Sequence, residues 1–378
     1  MPGSVHNAVH LISSDVPYPA DYGGMIDVFY TIRQLAQADI EIYLHCFQYG
    51  RDEAPELEQY CKEVHYYKRK TGLAGLSLSL PYMMYSRRDK HLLPNLLRVD
   101  APIIFEGIHC CYLLNEPSLA GRKKILRNQN VEQQYYSLLA DRTGNPLKKL
   151  YFRAEAALLR RFENRLQAAD YLAPISQKDT EFFKTLYPGK PVVYLAGFHP
   201  FDKIRSQAGQ GTYCLYQGNL GHPENIEVAL FLVREVFAAM DIPLVIAGRN
   251  PHPKIIAACA AHGHIRLIAN PEEEKMQELI AAAQVHVLPT FQASGLKLKL
   301  LYALYAGRFV LANKAMLYGT GLDAVCEQAE TPLQFADKIK DLMQHPFTQQ
   351  DIDQRATELN RIYDNTGKVS RLIALINL

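Results

Sequence analysis

The sequence of 378 residues is poor in cysteine, with seven thiols that are odd in number and show no CxxC spacing. A disulfide framework and a zinc ribbon are therefore disfavoured, and a reducing cytosol fits the composition. No uncharged run reaches the roughly 20 apolar residues that a membrane-spanning helix needs. The first residues also lack the basic segment and long apolar core of a signal peptide. We therefore expect a cytoplasmic protein.

The sequence also lacks an excess of either charge, since 41 Lys and Arg face 39 Asp and Glu for a net charge of +2. A broadly basic nucleic-acid binder is thus excluded. The charge is nevertheless uneven, because residues 62–98 carry a net +6 and residues 122–165 a net +7, while the rest of the chain sums to −11. Both basic stretches fall within residues 1–196, so the positive excess belongs to the first half.

Several catalytic signatures are missing as well. The chain contains no HExxH, P-loop or GxSxG motif, and its glycine pair does not form GxGxxG. The last absence disfavours a dinucleotide-dependent oxidoreductase. We expect neither a metal nor a resident cofactor.

What the sequence does contain is a regular alternation of short apolar runs with helical patterns. Continuous apolar runs predict strands buried on both faces, which are typical of parallel sheets covered by helices. The predicted strands are 8–12, 40–47, 101–105, 123–127, 170–175, 191–196, 212–218, 243–248, 264–269, 285–289 and 308–313. Two such arrays predict an α/β protein with two Rossmann-like, doubly wound parallel-sheet domains facing a cleft.

The domain boundary is predicted in the polar, glycine-containing stretch 197–211. We expect an N-terminal domain over 1–196, a C-terminal domain over 212–350 and C-terminal helices over 351–378. Open α/β sheets bind ligands beyond the carboxyl ends of their strands, so functional residues are expected in the loops there.

A glycine pair marks the first of these loops, where Gly23 and Gly24 follow a strand and open a helix. Glycines let the backbone approach a ligand, and the free N–H groups of a helix N-terminus suit a phosphate. A tight turn without a ligand explains the pair equally well.

Two lysines mark a loop of the second half. Ser294 and Gly295 are predicted to start a helix that ends at Gly307, which places Lys297 and Lys299 in or near its first turn. Cations there oppose the helix dipole unless an anion lies close, and a diphosphate would supply one. The alternative is a pair of solvated lysines on an amphipathic helix.

Three further loops of the second half follow strands. Gly218 and Asn219 form another close backbone approach, and Arg249 can contact a phosphate bidentately. The loop with Ile268 and Asn270 can read a nucleobase edge through its backbone. A surface arginine and plain strand-to-helix connections are the alternatives.

A polar cluster follows the fourth predicted strand. Gln129, Asn130 and Glu132 are candidates to orient a sugar or an acceptor, although Glu132 alternatively favours a helix N-terminus. Glu106 is the other carboxylate candidate, and His109 fits a packed structural histidine better than a catalytic one.

These loops together resemble the retaining GT-B glycosyltransferases of family four, the group 1 sugar-nucleotide transferases. The resemblance covers nearly the whole chain and rests on YPADYGGM, ILRNQNVE, APISQKD, LYQGNL, VIAGRNP and SGLKLKLLYALYAGRFVLAN. It implies two Rossmann-like domains, with an activated sugar on the C-terminal one and an acceptor on the N-terminal one. It also implies a last helix that returns to the N-terminal domain, and a diphosphate held by helix dipoles and basic residues without a metal.

Site residues follow from the loops and the resemblance together. We assign catalysis to Gln129, Asn130, Glu132 and Lys299. The assigned donor-binding residues are Gly23, Gly24, Gly218, Asn219, Arg249, Ile268, Asn270, Ser294, Gly295, Leu296, Lys297, Lys299 and Tyr302.

The chain departs from the family pattern at three places. The two carboxylates of the family's E-x7-E pattern, which contact the donor sugar and the ribose, are replaced by Ser294 and Tyr302. Asn219 stands in a loop where relatives carry Arg and Lys, so we infer that the two lysines take over part of the phosphate charge. Gln129 stands where relatives place a histidine, and an amide cannot act as a general base.

The basic clusters of residues 62–98 flank an uncharged segment, 71–86. Three interpretations compete: a buried helix with solvated flanks, a surface that binds an anionic membrane, and a site for a lipid-linked acceptor. The acceptor or membrane residues are Lys68, Arg69, Lys70, Arg87 and Arg88. The amphipathic basic pattern over 148–165 fits core packing better than membrane insertion.

The sequence thus predicts a metal-independent glycosyltransferase that moves a sugar from a nucleotide diphosphate sugar to a glycan or lipid-linked acceptor, with retention. We expect it in the cytoplasm or peripherally on the inner face of the plasma membrane, in the synthesis of a cell-surface polysaccharide or glycolipid. A non-catalytic GT-B subunit that binds a sugar nucleotide and supports a partner enzyme is the alternative, and a GT-B epimerase is a third hypothesis.

Overall fold

The computed structural model of the protein describes residues 7–291 and 297–377. The chain divides into two units. The first unit comprises the described residues up to Pro200 together with those from Asn365 onward, and the second comprises the described residues between Phe201 and Asp364. The change of unit after Pro200 falls inside the stretch predicted as a linker. Within the described ranges, no helix combines the length and apolar character that crossing a bilayer requires.

A six-stranded sheet forms the centre of the first unit. Its strands are β1 (Ala8–Ser13), β2 (Glu41–Gln48), β3 (Glu63–Lys68), β4 (Ile103–Glu106), β5 (Lys124–Arg127) and β6 (Tyr171–Leu172). They lie in the order β3-β2-β1-β4-β5-β6, and every pairing is parallel. β4 and β5 are buried along their whole length, as continuous apolar runs require.

Helices cover both faces of this sheet. They are α1 (Gly23–Gln37), α2 (Tyr82–Tyr85), α3 (Leu92–Leu97), α4 (Glu132–Arg142), α5 (Pro146–Glu163) and α6 (Gln177–Leu186). α1 packs on one face through Val28, Ile32 and Leu35, which recur at helical spacing. α5 packs on the other face through Leu159 and Phe162.

The second unit repeats this architecture. Its strands are β7 (Cys214–Asn219), β8 (Leu244–Arg249), β9 (Ile265–Ala269), β10 (Val285–Leu288), β11 (Phe309–Ala312) and β12 (Glu327–Gln328). Its helices are α7 (Pro223–Phe231), α8 (Pro253–Ala260), α9 (Glu273–Ala282), α10 (Leu298–Ala306), α11 (Lys314–Leu317), α12 (Pro332–Leu342) and α13 (Gln349–Tyr363). The sheet order β12-β11-β10-β7-β8-β9 is that of the first sheet read from the other edge, and all its pairings are parallel.

The last helix, α14 (Asn365–Asn377), belongs to the first unit. Its Val369, Leu372 and Ile376 join the apolar cluster of α1. Lys368 Nζ donates to the carbonyl oxygen of Gly197 at 2.7 Å, which fixes α14 to the segment that precedes the second unit. Short helices of other types lie at Pro55–Gln59, Gly72–Gly75, Ile108–Leu113, Pro117–Leu119, Leu166–Ala168, Leu232–Val236 and Asp323–Val325.

Two parallel sheets agree with the predicted fold class, but three strand assignments were wrong. β3 and β12 were missed because both are edge strands with polar residues rather than apolar runs. The predicted strand 191–196 does not form, and only Val192 bridges to Leu172. Its neighbour β6 is two residues long, so that edge offers few backbone partners.

The interpretation of 71–86 as a buried helix was also wrong. Only Gly72–Gly75 and Tyr82–Tyr85 are helical in this segment. Gly72 has a φ of 60°, a left-handed conformation that glycine tolerates and that interrupts a helix. Residues 71–79 lie largely open to solvent, whereas Met83 and Met84 are buried in the core.

A buried ion triad joins α1, β4 and β5. Arg127 is fully buried, and its guanidinium donates to Asp27 Oδ1 at 2.8 Å and to Glu106 Oε1 at 2.9 Å. The same group donates to Thr31 Oγ1 at 2.8 Å, while Asp27 Oδ1 also accepts the Phe198 N–H at 2.7 Å. Two carboxylates around one cation leave negative charge in the core, and burial, opposed by Arg127, raises the pKa of the Glu106 carboxyl.

Arg127→Met should destabilise the protein strongly, because it leaves both carboxylates buried without their cation. Breaking such a group costs about 3–5 kcal/mol of unfolding free energy. Urea denaturation at neutral pH measures the loss, and exposed Arg160→Met on α5 is the control, with a change of about 0.5 kcal/mol or less. Equal effects of the two substitutions would contradict the importance of the triad.

Candidate functional site

Gly24 and Gln129 meet at the carboxyl edge of the first sheet. Gln129 Nε2 donates to the carbonyl oxygen of Gly24 at 3.3 Å. A Cβ at position 24 would lie 2.8 Å from Gln129 Oε1, so glycine lets this amide lie against the start of α1. Gly23 is the first residue of α1, whose N-terminus has no side-chain cap and no acidic residue. The structure therefore brings these predicted residues together beside a helix start that keeps its positive character.

Glu132 is the first residue of α4 and is 6% exposed. Asn130 Nδ2 lies 3.5 Å from Glu132 Oε1. Burial raises the pKa of the Glu132 carboxyl to about 7, against the opposing effect of Asn130. Near neutral pH the carboxyl thus occupies both protonation states, as a group that exchanges protons does.

The other two candidates of the first half are Glu106, which is ion-paired in the core, and His109, which is not ion-paired within the described residues. Glu106 is bound to Arg127 in the core, so the structure assigns it to the ion triad and not to catalysis. The His109 side chain is half-buried. Burial first, then Arg87 and Arg69, lowers the pKa of His109 to about 3. Its ring is therefore neutral and available as an acceptor.

Arg87 is buried, which excludes the membrane half of its assignment as an acceptor or membrane residue, while the acceptor half stays a prediction. Its Nε donates to the carbonyl oxygen of Ser14 at 2.8 Å, and its Nη1 donates to the carbonyl oxygen of Met83. No carboxylate of the described chain forms an ion pair with it. Lys68 is exposed and Lys70 is half-buried, so those two remain at the surface.

Arg69 and Arg88 are half-buried, and each lies over a tyrosine ring. The guanidinium carbon of Arg69 is 4.2 Å from the ring centroid of Tyr49, and that of Arg88 is 3.4 Å from the centroid of Tyr85. Stacking leaves the edges of a guanidinium free to donate to a carboxylate or phosphate. Two of the predicted cations are thus preorganised rather than freely solvated.

Lys299 lies in the first turn of α10 in the second unit. Its Nζ donates to Asn225 Oδ1 at 2.6 Å and is 3.4 Å from the Tyr216 hydroxyl. Burial lowers the pKa of this amine to about 8, with Glu224 opposing the shift and Lys297 adding to it. Within the described residues the amine has no ion-pair partner, so its environment disfavours its own charge.

The residues that hold Lys299 were not assigned from the sequence. The Tyr216 hydroxyl donates to Asn225 Oδ1 at 3.1 Å, and Glu224 accepts the hydroxyl of Thr290. A tyrosine in the apolar part of a predicted strand was the available signal, because a buried hydroxyl needs a polar partner.

Three predicted loop residues of the second unit differ in whether their side chains are already engaged by the protein. Arg249 is exposed at the end of β8 and pairs with no carboxylate of the described chain. Asn219 Oδ1 accepts the Gly221 N–H at 3.1 Å, and Asn270 Oδ1 accepts the Asn250 N–H at 2.8 Å. The two asparagine side chains therefore shape their own loops, while the arginine remains free for a ligand.

Other predicted donor residues make packing contacts. A Cβ on Gly218 would lie 3.1 Å from Asn225 Nδ2, so close packing against that side chain favours glycine at position 218. The Tyr302 ring packs edge-on against Phe201 with centroids 4.8 Å apart. Ile268 is half-buried against the apolar cluster of the second unit. A ligand contact for these residues stays a prediction.

Ser294, Gly295 and Leu296 lie outside the described residues. The described part of the helix begins at Leu298, after Lys297 at the N-cap position, and ends before Gly307. Across residues 7–291 and 297–377, no three His, Cys, Asp or Glu side chains are placed to hold a metal ion.

The part of the chain that matches a known protein family lies in the second unit. Residues 211–345 match the family model described as glycosyl transferases group 1. An uncharacterized 44.6 kDa protein in the cps region of Klebsiella pneumoniae is 25% identical over 334 residues, which cover 82% of this chain and 84% of that protein.

Solved glycosyltransferase structures share the fold. A mutant of TarM from S. aureus, in complex with fondaparinux, alpha-GlcNAc-glycerol and UDP, has a TM-score of 0.68 at 9% identity, covering 98% of this chain and 100% of that one. MurG from Acinetobacter baumannii has a TM-score of 0.56 at 14% identity, with coverages of 98% and 99%. HepE from Anabaena, in complex with UDP and glucose, has 0.62 at 10%, with coverages of 97% and 98%.

These likenesses confirm the predicted fold class of two Rossmann-like domains, as in GT-B proteins. The family match over residues 211–345 supports a glycosyltransferase.

Glu132→Gln should change the pH dependence of stability. A carboxyl whose folded pKa lies above its unfolded value contributes stability at low pH that is lost as the pH rises from about 4.3 to 7. The free energy of unfolding of the variant, relative to that of the wild type, should therefore increase by about 1.4 kcal/mol for each pH unit across that range.

Urea titrations between pH 5 and 7.5 measure this difference. Exposed Glu227→Gln on α7 is the matched control, whose difference from the wild type should stay flat. A flat difference for Glu132→Gln as well would show that its carboxyl is ionised throughout the range.

Proposed function

We propose that the protein is a retaining, metal-independent glycosyltransferase that moves a hexosyl group from a nucleotide diphosphate sugar to a glycan or lipid-linked acceptor. The match of residues 211–345 to glycosyl transferases group 1 supports the reaction class. UDP in the TarM and HepE structures supports a nucleoside diphosphate donor.

The observation that carries the proposal is the half-buried Lys299, whose amine lies at the start of a helix and forms no ion pair within the described chain. Such a position is unfavourable for a cation unless an anion joins it. A diphosphate would restore the charge of Lys299, with the free guanidinium of Arg249 and the amine of Lys297 as further cations.

Transfer breaks the bond between the anomeric carbon and the diphosphate oxygen, which keeps the electron pair. Cations around the leaving group stabilise that developing charge, which is the main electrostatic task of the reaction. Lys299 and the start of α10 supply this in our proposal. The acceptor hydroxyl forms the new bond on the same face of the sugar and gives its proton to the departing diphosphate oxygen.

We assign the acceptor to the first unit. Gln129 and Asn130 would orient sugar or acceptor hydroxyls, and the Glu132 carboxyl is matched to proton exchange near neutral pH. Arg69 and Arg87, which lack acidic partners in the described chain, suit an acceptor that carries phosphate or carboxylate. The cps-region relative supports a role in cell-surface polysaccharide synthesis at the cytoplasmic side.

A second candidate is a GT-B subunit that binds a sugar nucleotide without transferring it. The packing of Tyr302 on Phe201 favours it, since a residue assigned to the donor is engaged in the core. Saturable binding of a sugar nucleotide without turnover on any acceptor would distinguish this subunit from the enzyme.

Lys299→Met should weaken UDP binding by about tenfold or more, because it removes a charge-assisted contact. In the wild type, affinity should fall as the pH rises above about 8, since Lys299 then loses its proton. The fall should reach up to tenfold per pH unit and should be absent from the variant. Calorimetric titration between pH 7.5 and 9.5 measures both effects.

Lys254→Met, an exposed substitution on α8, is the matched control and should bind UDP like the wild type. Unchanged affinity in Lys299→Met would remove the amine from the donor site. If UDP binds to neither protein, a panel of other nucleoside diphosphates extends the test, and failure of all of them would reject the proposed donor class.

A further inference from the structure

Three leucines stand in solvent on the segment 71–80. Leu73 is 86% exposed, Leu76 50% and Leu78 100%. Single exposed apolar residues are ordinary on protein surfaces, but three within six positions form a patch that marks an interaction site. The segment carries no charge, so nothing within it opposes contact with an apolar phase.

A second exposed apolar group lies on the first two turns of α5. Leu147 is 78% exposed, Leu150 68% and Tyr151 39%. The Glu155 carboxylate accepts the Tyr82 N–H at 2.9 and 3.0 Å, which fixes the end of the open segment against α5.

The two groups are therefore neighbours on one surface. Tyr151 and Leu147 lie one and two turns before Glu155 on the same side of α5. Leu78 is four residues from Tyr82, so the extended chain places it within about 14 Å of that anchor. We name the exposed residues of 73–78 and 147–151 the leucine surface.

Positive charge surrounds the leucine surface. Residues 66–80 and 145–154 contain six Lys and Arg and no Asp or Glu. They are Lys68, Arg69, Lys70, Lys148, Lys149 and Arg153. Long basic side chains beside exposed leucines match the interface of an anionic bilayer, where the leucines enter the acyl boundary and the cations meet lipid phosphates.

We propose that the leucine surface docks the protein onto an anionic lipid bilayer, with Leu73 and Leu78 entering the acyl boundary. A second copy of the chain is disfavoured as occupant, because a symmetric contact would bring the same uncompensated cations together. The proposal requires no donor or acceptor chemistry, and it stands whether or not the chain transfers a sugar.

Sedimentation with vesicles tests this docking in the absence of any sugar nucleotide. The wild type should bind vesicles of phosphatidylcholine and phosphatidylglycerol at 3:1 about tenfold or more better than pure phosphatidylcholine, and added salt should weaken the binding. Leu73→Asp/Leu78→Asp and Lys148→Glu/Lys149→Glu should each reduce it about tenfold or more. These sites are largely exposed, so thermal unfolding of the variants should match the wild type.

Matched controls lie on the second unit. Leu333→Asp, at a 71% exposed leucine of α12, and Lys254→Glu/Lys340→Glu should bind like the wild type. No binding to either vesicle, or equal loss in test and control variants, would overturn the proposal. So would leucine substitutions that dissociate an oligomer in light scattering while vesicle binding persists.

Discussion

Arg127 is the group on which the first unit depends. It lies at the carboxyl end of β5, and its two carboxylate partners come from α1 and from the end of β4. Asp27 also accepts the Phe198 N–H, so the triad holds the segment that leads to the second unit. Since Asp27 is one turn beyond Gly24, and Gln129 two residues beyond Arg127, the triad also fixes the contact between Gly24 and Gln129.

The charged group at the candidate site of the second unit has neutral partners instead of carboxylates. Arg127 has two acidic partners inside the chain, whereas the amine of half-buried Lys299 contacts an amide and a phenol. An internally neutralised cation serves the core, while a cation whose pKa is lowered by its surroundings gains most from an anion that arrives from outside. This contrast separates a structural charge from a candidate binding charge.

The alternation of apolar runs with helices predicted the fold because continuous apolar runs indicate strands that are buried on both faces of a sheet. It failed at β3 and β12, where edge strands carry polar residues. Gly24 and Gln129 were chosen separately as site residues, but their contact is a tertiary fact that no local pattern contains. Glu106 was misread because a sequence does not reveal that a carboxylate faces a buried arginine. Asn225 and Tyr216 were missed because their contacts with the Lys299 amine join residues that are far apart in the sequence.

Acceptor-dependent release of nucleoside diphosphate tests the central claim most directly. The purified protein is incubated with a panel of nucleotide sugars and lipid-linked glycans, and free nucleoside diphosphate and glycosylated product are quantified by mass spectrometry. We expect equimolar release and product with at least one donor, and a strong loss of both in Lys299→Met. Wild-type turnover that the substitution leaves unchanged, or no turnover despite tight nucleotide binding, would contradict it.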